Sequence, residues 1–250
     1  MVHAAPDIPS DLTPRQAKAL QEQLRGQLVI EPLDVPTIEL VAGADLSMNL
    51  YSSQVFAGFV VLRADTLEVV DQSVVETEAR FPYIPGLLSF REIPALLEAW
   101  ELLSTRPQAL IYDGHGYAHP RRFGIACHLG LLPDLPTVGC AKSILVGHSD
   151  PPPNRIGEHT DLIVNGEVIG AALRTRPRAN PIYVSIGHRC DLHSAIQLVS
   201  RCCRGYRLPE TTRAAHQLVN DARRSRQPEA GPLAVLEIRE TGGSGDTPKS

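Results

Sequence analysis

The chain has 250 residues, of which 43% are hydrophobic and 21% charged, and its net charge is -4. That length suits one substantial core, and that composition excludes a disordered or fibrous chain. The longest apolar runs, such as Gln54 to Leu62, are too short to cross a bilayer. The first twelve residues include Asp7 and Asp11 and lack a basic-then-apolar leader. A cytoplasmic monomer without a membrane partner is the expectation. The five cysteines, Cys127, Cys140, Cys190, Cys202 and Cys203, are odd in number and form no C-x-x-C. Reduced, mostly buried thiols are therefore expected, rather than disulfides or zinc ligands.

In chain order, Thr13-Pro14-Arg15-Gln16 is a helix start: Thr13 caps, Pro14 suits the first turn and Gln16 completes a capping box. This helix is expected to reach Gln27. Three strands follow at Thr37 to Asp45, Val55 to Arg63 and Leu67 to Glu78, with links short enough for an antiparallel meander. Phe81-Pro82-Tyr83-Ile84-Pro85-Gly86 interrupts regular structure. A helix from Ser89 to Leu103 repeats apolar residues at Leu96, Leu97, Trp100 and Leu103. Then come a buried strand at Ala109 to Asp113, a Gly-rich loop at Gly114 to Pro120, a helix at Phe123 to Leu132 and a strand at Thr137 to Lys142. Asp150-Pro151-Pro152-Pro153 reads as a surface loop. Asn165-Gly166 marks a hairpin between Leu162 to Val164 and Val168 to Leu173. A last strand covers Ile182 to Ile186. Asp191 caps a helix to Cys203, and a final helix covers Leu208 to Arg223. One domain over 1–238 is expected, and the Gly-, Thr- and Ser-rich tail, 239–250, is expected to be disordered.

The order strand, strand, strand, helix, strand has a topological consequence. A right-handed helical crossover after the meander lays the fourth strand beside the first and parallel to it. Neighbouring strands lie ~4.8 Å apart. Asp45 and Asp113, each ending one of these strands, would then emerge together at one sheet edge. Two carboxylates so placed suit a shared hard cation or a bracketed pair of cations, and so metal-assisted phosphodiester hydrolysis. Taken singly, either aspartate is equally a strand-end or turn former. The modest negative charge does not advertise a nucleic-acid partner, but a local basic groove matters more than the total. Arginines cluster at Arg121 and Arg122, at Arg174, Arg176 and Arg178, and at Arg201, Arg204 and Arg207. Surface ion pairing would account for any one of these clusters.

Five segments in order resemble the endonuclease V (deoxyinosine 3′-endonuclease) family. They are Val41-Ala42-Gly43-Ala44-Asp45; the run Phe81 to Glu92, with its Pro-Tyr-Ile-Pro-Gly and Phe-Arg-Glu; and Asp113-Gly114-His115-Gly116 with His119-Pro120-Arg121. Gly139-Cys140-Ala141-Lys142-Ser143 and Leu208-Pro209-Glu210-Thr211-Thr212-Arg213-Ala214-Ala215-His216 complete the set, which spans about Thr37 to Asn220. The resemblance implies an α/β, ribonuclease H-like mixed sheet: an antiparallel three-strand meander plus parallel strands, flanked by helices. It implies Asp45 and Asp113 as ligands of Mg²⁺, with Mn²⁺ as a substitute ion, and Glu92 as a third acidic group. It places Lys142 near phosphate and His216 near the metal site. Tyr83, flanked by Pro82, Ile84 and Gly86, becomes a wedge that fills the space of an extruded base. Gly86, Leu88, Gly114 and His119 lie in candidate base-pocket loops.

The activity implied is a DNA repair endonuclease that cleaves the second phosphodiester 3′ to deoxyinosine, leaving 3′-hydroxyl and 5′-phosphate ends. Other readings stay open: an endonuclease for inosine in RNA, another ribonuclease H-like nuclease, and a non-catalytic nucleic-acid-binding module. The chain has no G-x-S-x-G for a serine hydrolase. On local pattern alone, Ser89-Phe90-Arg91-Glu92 is a capping box, His216 a helix-surface histidine and Lys142 a surface lysine.

Overall fold

The computed structural model describes residues 12–49 and 52–226. The N-terminal leader reading, the outer ends of the expected 1–238 domain and the 239–250 tail lie outside the described residues. Within them, α1 covers Pro14–Arg25 and starts with the expected capping box: Thr13 and Gln16 satisfy each other's backbone amides. A 3₁₀ turn at Val35–Thr37 takes the place of the expected beginning of the first strand, because Pro36 fits such a turn and gives no ladder amide. Strands β1 (Leu40–Met48), β2 (Gln54–Arg63) and β3 (Val69–Glu78) form the meander. Helix α2 (Leu88–Glu101) leads to β4 (Ala109–Tyr112). Then follow α3 (Ile125–Leu131), β5 (Thr137–Ala141), β6 (His159–Val164), β7 (Glu167–Leu173), β8 (Ile182–His188), α4 (Leu192–Arg201) and α5 (Glu210–Ser225).

All eight strands join one sheet in the order β3-β2-β1-β4-β5-β8-β7-β6. The crossover through α2 does set β4 parallel to β1, and β5 lies parallel to β4. Every other neighbouring pair is antiparallel. The β6–β7 hairpin turns at Asn165 and Gly166, both with positive φ, which a two-residue turn between twisted strands requires.

Alternation along the central strands divides the core in two. Ala42, Ala44, Phe59, Val61, Leu110 and Tyr112 face α2 and α3, joined by Ile93, Leu96, Trp100 and Leu129. Val41, Ile111, Val138, Cys140 and Val184 face the other way, against Ala195, Leu198 and Val199 of α4. Helix α5 shares that second side and lies over β1 and β2. Helix α1 lies outside the α2–α3 layer, against Phe81, Leu87, Phe90 and Phe123. The cysteines are all free, and four of the five are buried. No described helix is long and apolar enough to cross a membrane.

Two local expectations are corrected. Asp45 does not end β1: the strand continues to Met48, because β2 keeps pairing with it through Val55. Ser89 does not cap α2: the cap position is Leu87, Ser89 lies in the first turn with its hydroxyl buried and unpartnered, and Glu92 turns away from the helix start.

Candidate active site

The last residue pair of the β1–β4 ladder is Ala44 with Tyr112. Asp45 and Asp113 are the next residue on each strand. Here β4 has ended while β1 runs on with β2, so an open notch forms beside β1. Side-chain alternation turns Asp45 to the α5 face, together with Gly43 two residues earlier and Gly58 opposite it on β2. The glycines allow a helix to approach the sheet closely. A Cβ on Gly43 would overlap the Thr211 carbonyl of α5, and one on Gly58 would crowd Val219 and Leu218. With α5 pressed onto the sheet, His216 reaches Asp45: Nδ1 lies 2.8 Å from Oδ2.

A short chain of bonds fixes that imidazole. Ser47 Oγ donates to Asn220 Oδ1 at 2.9 Å, and Asn220 Nδ2 lies 3.1 Å from His216 Nε2. Nε2 therefore accepts, and Nδ1 carries the proton that it gives to Asp45. On the other flank, Lys142, just past β5, places Nζ 2.6 Å from Asp113 Oδ2. Glu92 approaches from the opposite face. It is 7% exposed, and one carboxylate oxygen accepts from the Tyr112 hydroxyl at 2.7 Å.

Burial lifts the Asp45 carboxyl above its usual range; the His216 hydrogen bond opposes this and the nearby Asp113 adds to it. Burial pushes Glu92 up to about 7, against the Tyr112 hydrogen bond and with the Asp45 charge adding to the rise. Three carboxyl groups thus share a notch with one lysine and a histidine that is a donor to Asp45. Ligand atoms of Asp45, Asp113 and His216 lie within 4.8 Å of one another. Two carboxylates at that spacing, with a third buried one beside them, suit a hard divalent cation, whose charge would offset their mutual repulsion. In this arrangement His216 acts on Asp45.

A pocket of about 270 Å³ opens from the same notch. It is lined by Tyr83, Ile84 and Gly86 of one loop and Leu88 at the start of α2, by Tyr112, Asp113, Gly114 and His115 from the end of β4, and by His119, Gly124 and Ile125. Of the residues expected around a base, Tyr83, Ile84, Gly86, Gly114 and His119 line it. Pro82 does not; it is exposed. The loop is pinned at both ends. Arg91 Nη1 donates to Phe81 O at 2.7 Å, and the Leu87 amide donates to Ile84 O at 2.9 Å. Between those ties Tyr83 stands 70% exposed. His119 is buried, with Nε2 3.1 Å from Gly86 O and Nδ1 accepting from the Arg121 amide at 3.2 Å. Burial holds its pKa down to about 4, so the ring is neutral at physiological pH.

Several residues escape a reading of the sequence. Tyr112 looks like a core strand residue, yet its hydroxyl is the partner of Glu92. Asn220, one turn after His216, orients that ring. Gln21 on α1 and Leu145 after β5 line the pocket from segments outside the quoted motifs. The one available signal was the i, i+4 spacing of His216 and Asn220 on a helix.

A sheet with a meander on one side, parallel central strands, helices on both faces and carboxylates side by side where the β1–β4 ladder stops defines the ribonuclease H-like nucleases. The particular branch is given by residues 22–217, which match the model of the Endonuclease V family. An Endonuclease V of Gloeobacter violaceus is 54% identical over 221 residues, 87% of this chain and 89% of its own. The crystal structure of the Endonuclease V of Streptomyces avermitilis superposes with a TM-score of 0.84 at 41% identity, covering 87% of this chain and 97% of that one. The Endonuclease V of Ciona intestinalis, in complex with a 24-mer DNA containing an inosine followed by a ribo-adenosine, has a TM-score of 0.74 at 27% identity. It covers 84% of this chain and 96% of that one. The chain belongs to the endonuclease V family and is an endonuclease, a hydrolase of phosphodiester bonds.

Proposed function

We propose that the protein is a Mg²⁺-dependent DNA repair endonuclease that recognises deoxyinosine and cleaves the second phosphodiester bond 3′ to it. The observation that carries this reading is one juxtaposition. A notch holding Asp45 and Asp113 opens directly into a pocket of about 270 Å³, which has room for a purine base, and an exposed aromatic, Tyr83, also lines it. The Ciona intestinalis complex with inosine-containing DNA supports the choice of lesion.

Each residue then has a task that its position supports. Asp45 and Asp113 hold the cation, Mg²⁺ or in its place Mn²⁺, with Glu92 as the third acidic group. The bound ion supplies Lewis acidity at the phosphate and a more acidic water. His216 keeps Asp45 ionised and oriented. Lys142 neutralises Asp113 and presents fixed positive charge towards the phosphate. Tyr83 stacks in the gap left by an extruded base, and its pinned loop enters the duplex with little ordering cost. Hypoxanthine lacks the 2-amino group of guanine and carries a 6-oxo group where adenine has an amine. A slot walled by backbone groups of Gly86 and Gly114 can read both differences, since an unpaired buried polar group is costly.

Nicking of a deoxyinosine-containing duplex in Mg²⁺, absent with chelator and absent on undamaged duplex, is the expected result. Equal cleavage of undamaged duplex would overturn the lesion reading. A second substrate is favoured by one observation: the nucleotide after the inosine in the Ciona intestinalis complex is a ribonucleotide. Inosine-containing RNA therefore belongs in the same assay, and the ratio of the two rates identifies the preferred strand.

A further inference from the structure

Helix α1 contributes nothing to the acidic notch, yet one of its side chains is more fully enclosed than most of the pocket wall. Gln21 is 1% exposed. Its amide nitrogen donates to Gly86 O and to Phe123 O, both at 3.1 Å, and its oxygen accepts from Arg121 Nε at 2.6 Å. Both of its N–H donors and its one accepted bond go to two separate loops. One is the Tyr83 loop, which ends at Gly86. The other, 119–124, carries His119 and Arg121 and leads into α3 through Gly124.

The two loops meet on a single acceptor. The Gly86 carbonyl receives Gln21 Nε2, His119 Nε2 and Arg121 Nη2, the last at 2.5 Å. Gly86 has φ +78, where a side chain is disfavoured, and a Cβ there would sit 2.9 Å from Arg121 Nη2. The backbone angle is what favours glycine here, and a side chain would also displace the Arg121 guanidinium from the carbonyl. Arg121 is itself held by Gln21. Without Gln21, the Gly86 carbonyl keeps His119 and Arg121 as donors, the Phe123 carbonyl loses this one, and the guanidinium loses the acceptor that fixes its Nε. The two loops would then be joined only through the His119 and Arg121 bonds to the Gly86 carbonyl, without the buried side chain that ties Gly86, Phe123 and Arg121 together.

We infer that Gln21 is a positioning residue for base recognition: it clamps the Tyr83 loop to the 119–124 loop and so sets the width of the base slot. This rests on the base-pocket reading proposed above. Gln21 reaches no atom of the notch, so its influence falls on lesion binding and not on the hydrolytic step. The buried bonds lost in Gln21→Met, a substitution of similar length, are expected to raise KM for a deoxyinosine duplex about tenfold, with a smaller fall in kcat. Gln21→Glu keeps the acceptor for Arg121 but loses both donated bonds, and is expected to behave like Gln21→Met.

The test separates this from a general loss of structure. An Asp113→Ala background prevents cleavage, and a 2-aminopurine placed beside the deoxyinosine brightens when the lesion base leaves the stack. Wild-type pocket residues should give the full signal. Gln21→Met and Gln21→Glu should reduce it at saturating protein, with affinity for undamaged duplex within about twofold of the parent. A double variant, Gln21→Met with Tyr83→Ala, should be little worse than Tyr83→Ala alone, since both act through one loop. Full 2-aminopurine response in both Gln21 variants, or additive losses in the double variant, overturns the inference. If Gln21→Met melts below the assay temperature, the Gln21→Glu result decides. No response with the unsubstituted pocket would instead overturn the base-pocket reading.

Discussion

The acidic notch and the Tyr83 loop lie side by side and are held by opposite means. The notch is made of regular structure. Strand register sets Asp45 beside Asp113, and two glycines let α5 bring His216 down on them. Electrostatically it is unsettled, since burial lifts both Asp45 and Glu92. The loop has no regular structure, yet its polar groups are matched: Arg91, Gln21, His119 and Arg121 all donate to its carbonyls. Rigid backbone with more carboxylates than cationic partners suits a group that must capture a cation. Satisfied charge with a free aromatic tip suits a surface that must enter a base stack. Chemistry and recognition should therefore fail separately.

Four perturbations break or sharpen that contrast. The largest effect belongs to Asp113→Asn, which removes a charge from the notch and leaves the loop alone. Single-turnover cleavage should fall by roughly a thousandfold or more, while affinity for a deoxyinosine duplex persists. Loss of affinity in parallel would mean the two regions are not separable. Next is Gly43→Ala. A methyl there must push α5 off β1 and carry His216 away from Asp45. Misplacement on the ångström scale is expected to cost about a hundredfold in rate, and overpacking about 1–3 kcal/mol of stability. Urea unfolding and cleavage on the same sample report both. A stable, fully active variant would show that the α5 contact does not position the histidine.

Tyr83→Ala reverses the pattern. Stacking on a base contributes about 1–3 kcal/mol, so lesion affinity should drop roughly tenfold in a filter-binding or anisotropy titration. Affinity for undamaged duplex should hold. An equal loss for both duplexes would reduce Tyr83 to a general contact.

The smallest effect concerns His128, buried between the rings of Phe90 and Phe123 beneath the Tyr83 loop, with neither ring nitrogen hydrogen-bonded. Burial drives its pKa down from 6.5 to about 3. Between those values the unfolded chain binds the proton and the folded one does not, so stability falls as pH drops through that window. His128→Leu should flatten the melting temperature between pH 6.5 and 4 relative to the parent. An unchanged acid slope would mean the histidine is not the group responsible.

Much of this arrangement can be read before any coordinates. The meander and its right-handed crossover follow from element order and link length, and they alone bring Asp45 and Asp113 together. Asn165-Gly166 announces its turn, and Thr13 with Gln16 their cap. Strand ends are harder, because a strand ends where its partner ends: β1 outruns Asp45 since β2 does. Glu92 carries a capping-box spacing, and only the family resemblance draws attention to it. Its hydroxyl partner Tyr112 is hidden because an apolar strand with a tyrosine looks like core. Gln21 is hidden for a related reason. On an amphipathic helix a glutamine reads as solvent-facing, and only the tertiary packing of two distant loops makes it interior.

The bond between His216 and Asp45 joins residues 171 positions apart. During synthesis the sheet strands bearing Asp45 and Asp113 leave the ribosome well before α5 does. The nascent chain thus holds its acidic residues without the histidine that steadies them, and the backbone of Gly43 and Gly58 without its cover. A chain terminated before Glu210 would keep the strands of the sheet and lack the orienting ring. Helix α5 therefore brings the orienting imidazole to a pair of carboxylates that are synthesised well before it.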